Sequence, residues 1–98
     1  MTLSYEERRA VYEAAIAANG IEHQVIVAIE EMAELTKELA KSFRPKGTTT
    51  EKLVDELADV TIMMEQLRLI FDVNLSTQNR IDYKVQRLAQ RIKEARHA

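Results

Sequence analysis

The amino-acid sequence predicts an all-α fold, a four-helix bundle, and three observations predict it. Apolar residues recur at spacings of three and four along most of the 98 residues, while the period-two alternation of a strand is absent. Helix start and stop signals divide the chain into four segments. Only two Gly and one Pro interrupt it, and 46% hydrophobic with 31% charged residues is unlike a disordered or collagenous chain. The length suits one core, so residues 1–98 are read as a single domain.

The first helix opens at Ser4, where Glu7 completes a capping box, and closes at Asn19-Gly20, a pair suited to left-handed backbone. The second runs from Ile21 to about Phe43, with Val25, Ile29, Met32, Thr36 and Leu39 along one side, until Pro45 and Gly47 break the pattern. Thr48 with Glu51 offers a capping box for the third helix, in which Leu53, Leu57, Val60, Met64, Leu67 and Phe71 keep helical spacing as far as Asp72-Val73-Asn74. Ser76 is positioned to cap a fourth helix, whose Ile81, Val85, Leu88 and Ile92 repeat at four, three, four, the spacing of a packing seam. The connection from about Arg44 to Thr50 is short, which makes the second and third helices antiparallel neighbours.

Composition excludes several functions. A net charge of -2, from 14 basic and 16 acidic side chains, gives no overall field to recruit nucleic acid or an anionic membrane. Without cysteine there is no disulfide, thiolate nucleophile or Cys-based zinc site. The N-terminus lacks the apolar stretch of a signal peptide, and no apolar run approaches the roughly 20 residues that span a bilayer. Together these predict a cytoplasmic protein with no membrane or nucleic-acid partner.

The acids are unevenly placed. Glu30, Glu31, Glu34 and Glu38 crowd the second helix, and Asp55, Glu56 and Asp59 crowd the start of the third. At roughly 100° per residue, the apolar arc of the third helix is centred on Leu53, Val60, Met64 and Phe71, and is expected to face the core. Glu56 falls between Val60 and Met63, and Asp59 just beyond, so solvation does not account for Glu56. On the second helix Glu31 lies beside Leu35 at the edge of the apolar arc, with Glu34 a little further round. In an antiparallel pair, Glu31/Glu34 and Glu56/Asp59 can face each other. Converging carboxylates repel unless a cation neutralises them. Oxygen donors without His or Cys suit Mg²⁺ or Mn²⁺.

The string Glu30-Glu31-Met32-Ala33-Glu34, followed 21 residues later by Glu56-Leu57-Ala58-Asp59, resembles the E-E-x-x-E then E-x-x-D signature of the all-α nucleoside triphosphate pyrophosphohydrolases, the MazG-like and dCTP-pyrophosphatase group. The resemblance covers roughly residues 21 to 95. It implies a Mg²⁺-dependent hydrolase that splits a (deoxy)nucleoside triphosphate between its α and β phosphates, a nucleotide-pool cleaning role. By the same resemblance Glu31, Glu34, Glu56 and Asp59 are the metal ligands, and Glu30 orients or deprotonates the attacking water, a role open equally to Glu34. Such chemistry needs neutralised phosphate charge and a placed water, with no covalent nucleophile.

A triphosphate also needs cationic partners. Arg80, Lys84, Arg87 and Arg91 form a basic stripe beside the apolar seam of the fourth helix. Lys84 is the leading phosphate ligand, because related enzymes tend to carry a Lys early in this helix, and Arg87 follows it. The chain departs from the commoner Lys-then-Asn pattern there. Arg44 and Lys46 are reserves. His23, Gln24 and Tyr12 are the candidates for meeting a nucleobase. Apolar residues outside the main arcs, among them Val27, Ile62 and Leu69, exceed what one small bundle covers and predict a homodimer or homotetramer. The alternative reading is a non-catalytic helical interaction module that pairs through the fourth helix while its acidic faces are solvated.

Overall fold

In the computed structural model, which describes residues 1–97, four helices follow one another: α1 (Tyr5–Asn19), α2 (Ile21–Lys41), α3 (Thr50–Ile70) and α4 (Asn74–Arg96). The described residues contain no strand, and no helix among them is long and apolar enough to cross a membrane. The capping box at α1 is present: Glu7 N donates to Ser4 Oγ at 3.1 Å and Ser4 N donates to Glu7 Oε1 at 2.9 Å. Gly20, at φ 91°, makes the one-residue joint between α1 and α2, a left-handed conformation that side chains disfavour.

Three boundaries differ from the sequence expectation. α2 ends at Lys41, two residues before Phe43, as the chain turns through 42–49; a Cβ at Gly47 would strike the Lys41 carbonyl there. Thr49, not Thr48, caps α3, accepting from Lys52 N at 3.1 Å. Thr48 instead turns inward to Glu38. Ser76 lies inside α4, which starts at Asn74 because the end of α3 closes tightly. Val73 N donates to Arg68 O at 2.9 Å and Asp72 N to Leu69 O at 3.1 Å, with Asp72 left-handed at φ 53°. This paired closure ends a helix abruptly and lets the next begin at once.

α2 and α3 form an antiparallel hairpin, and α1 packs across both. The hairpin seam is more polar than the wheels suggested. Its buried positions are Gln24, Ala28 and Glu38 on α2, and Glu56, Met63 and Gln66 on α3. Met64 and Phe71, placed in the expected core arc, are exposed, as are Ile29, Met32 and Leu39 on α2. The helices meet along the stripe next to their most apolar arcs. Ala28, only 1% exposed, is the small residue among these buried positions. Tyr12 fastens α1 to this hairpin from the other side, its hydroxyl donating to Glu65 Oε2 at 2.7 Å. Burial, then the hydrogen bond to Glu65, pushes the phenol pKa up to about 12.

Candidate metal centre

Three polar stations lie along the α2–α3 seam. At the α1 end, Gln24 Nε2 donates to Gln66 Oε1 at 2.7 Å, and Gln24 Oε1 accepts from Asn19 Nδ2 at 3.2 Å with His23 Nδ1 at 3.0 Å. At the loop end, Thr48 Oγ1 donates to Glu38 Oε1 at 2.7 Å, and Lys41 Nζ lies 3.5 Å from Glu38 Oε2. Both oxygens of Glu38 therefore have partners. The Thr48 hydrogen bond, ahead of Lys41, holds its carboxyl below the ordinary value of 4.5.

The middle station is different. Carboxylate oxygens of Glu31, Glu56 and Asp59 lie within 4.8 Å of one another, Glu56 buried, Glu31 half-buried and Asp59 exposed. Three of the four carboxylates expected to converge in an antiparallel hairpin do so, and Glu34 does not join them. Burial raises the Glu31 pKa above 4.5, and the charges of Asp59, Glu56, Glu34 and Glu30 raise it further. Lys52, one turn before Glu56, places Nζ 3.2 Å from Glu56 Oε1. The other oxygen, Glu56 Oε2, is buried and has no hydrogen-bond partner; among the described residues no other carboxylate oxygen is in that state. A carboxylate lone pair that is dry and unsatisfied is costly. A hard divalent cation fits the place: it would accept these oxygens, and the open side at Asp59 leaves room for water and phosphate.

The remaining sequence candidates are spread out. Glu34 and Glu30 are exposed on α2 and do not join the close trio, though both bear on Glu31 electrostatically. His23 is exposed, and Gln24 is buried with its amide committed to Asn19, His23 and Gln66. Tyr12 is likewise committed, to Glu65. Lys84 and Arg87 are exposed on α4, a helix that packs on α3 and not on α2. Lys52 was missed in the sequence reading; its position four residues before Glu56, the spacing of a helical ion pair, was the available signal. Compared with protein-family models, with curated proteins and with solved structures, the chain matches none.

Proposed function

We propose that the chain is a divalent-cation-dependent nucleoside triphosphate pyrophosphohydrolase that releases pyrophosphate from a (deoxy)nucleoside triphosphate and works as a homo-oligomer. One observation carries the reading: the buried, unsatisfied Glu56 Oε2 beside Glu31 and Asp59, in a chain whose two acidic strings resemble the all-α pyrophosphohydrolase signature. Glu31, Glu56 and Asp59 would hold Mg²⁺ or Mn²⁺, with Glu34 the reserve ligand one turn along. When bound, the ion supplies neutralisation of phosphate charge as the anhydride bond breaks.

The chain's own groups account for the rest. Gln24–Gln66 and Glu38–Thr48 brace the hairpin on either side of the acids, so the three carboxylates are held in place before substrate arrives. Glu30 and Glu34, exposed on the same helix, are carboxylates that can take the proton of the attacking water at their Oε atoms. Lys52 Nζ is the cation nearest the phosphates in this reading. Lys84 and Arg87 add positive charge from the exposed face of α4.

A panel of canonical and modified nucleoside triphosphates incubated with Mg²⁺, scored for pyrophosphate, tests the function. Pyrophosphate from at least one member, lost in Glu56→Gln, is the expected result. A panel that yields none with either Mg²⁺ or Mn²⁺ overturns the enzymatic reading and favours the interaction module.

A further inference from the structure

Two apolar surfaces of the chain are left largely exposed. One is the side of the α2–α3 hairpin turned away from α1. Ile29, Met32 and Leu39 stand about 90° round α2 from its buried stripe, and Leu57, Met64 and Phe71 about as far round α3. Because the helices are antiparallel, both turns bring these residues to one side. All six are exposed. The other surface is the α4 seam, Ile81, Val85, Leu88 and Ile92, between 42% and 57% exposed. α4 contributes no buried residue.

Area and shape say what covers them. The chain exposes 7748 Å², whereas a compact folded monomer of its mass exposes about 5,700 Å². The excess, about 2,000 Å², matches the roughly 1,000–2,500 Å² that each chain of an obligate homodimer buries. The radius of gyration is 16.9 Å, against about 13 Å for a compact domain of this length. α4 leaves from the rim of the hairpin face, where Val73, Thr77 and Ile81 meet Met64, Leu67 and Phe71 around a groove of about 310 Å³. Beyond that start α4 packs on neither α1 nor α2, and the long axis of the chain is 53 Å. A single chain carries both halves of one interface and cannot close it alone.

We infer that the chain forms a two-fold dimer in which the seam of α4 from each copy lies on the outward apolar face of the other copy's α2–α3 hairpin. The exchange is isologous, so it closes at two copies and covers both surfaces in each. Lys84 borders the seam and belongs to the polar rim. The inference rests on the homo-oligomeric part of the function proposed above and gives that part an interface; it does not depend on catalysis.

Light scattering on the full chain should give at least twice the 11.3 kDa chain mass. Leu88→Glu and Ile29→Glu, on the two surfaces, should each reduce it to one chain's mass while circular dichroism keeps the helical signal of α1 to α3. Because the chain has no cysteine, a second measurement is independent of such variants. Isotopically distinct copies carrying Leu88→Cys and Met32→Cys are mixed and treated with a short bis-maleimide. Cross-links between unlike copies support the exchange. A one-chain mass for the unsubstituted protein overturns both the oligomer and the exchange; an oligomer whose cross-links join only Leu88→Cys to Leu88→Cys overturns the exchange alone.

Discussion

Glu38 and Glu56 are both buried acids on the same seam, 3% and 6% exposed, and their surroundings could hardly differ more. Glu38 receives a hydroxyl and a lysine, and its pKa falls. Glu56 shares its pocket with two more carboxylates, and one of its oxygens has no partner at all. A carboxylate that builds structure is satisfied by its own chain, as Glu38 is. On the proposed reading Glu56 is left unsatisfied for a cation, the species that would answer both the charge and the lone pairs.

The comparison is broken or sharpened first by substitution. Glu56→Gln keeps the volume and deletes the charge. It should lower pyrophosphate release by about 10³-fold or more, since one removed electrostatic partner of a transition state costs on that order, and stability without cation should hold or rise. The Lys52 pair it breaks is half solvent-exposed on the lysine side and contributes little. Asp59→Asn should behave alike. Glu38→Gln should show the reverse, a lowered melting temperature with activity changed only several-fold. Active Glu56→Gln with a lowered melting temperature would make Glu56 a second Glu38.

A smaller effect follows from the opposite pKa directions of Glu38 and Glu31. The Glu38 carboxyl is lowered, so its contribution to stability is present above the ordinary 4.5 and is lost as pH falls through the folded value. The Glu31 carboxyl is raised, so its contribution is present below 4.5 and is lost as pH rises through the folded value. Melting curves without cation, from about pH 4 to pH 7, should therefore show Glu38→Gln falling behind the parent protein as pH rises and Glu31→Gln gaining on it. Slopes of the same sign would contradict the contrast. The smallest effect concerns Lys52→Met. Lys52 competes with any cation for Glu56 Oε1, so its removal should tighten Mn²⁺ binding a few-fold, read by titration. Unchanged or weakened binding would mean that Lys52 does not stand in the cation's place.

Much of this was legible in the sequence, and the illegible part has a physical reason. Ser4 and Glu7 read correctly as a capping box because both partners are local. Glu56 read correctly as a seam residue because its angle between Val60 and Met63 admits no solvated position once those neighbours pack. The choice of seam did not read correctly. Periodicity locates the apolar arc of a helix but not which neighbour covers it, and α2 and α3 meet beside their arcs, leaving Ile29 and Met64 exposed. Glu38 looked like one more surface acid, because its partner Thr48 is ten residues away across a loop whose path no spacing rule predicts. Thr48 and Thr49 were equivalent as caps by residue type, and the inward pull of Glu38 on Thr48 decided between them.

The central claim, that Glu31, Glu56 and Asp59 hold a divalent cation, is tested most directly by titrating the protein with Mn²⁺ and counting bound ions by electron paramagnetic resonance, in the parent chain, in Glu56→Gln and in Glu38→Gln. The account predicts saturable binding in the parent and in Glu38→Gln, and its loss in Glu56→Gln. Binding of equal strength in all three, or none in the parent at millimolar Mn²⁺, would contradict it.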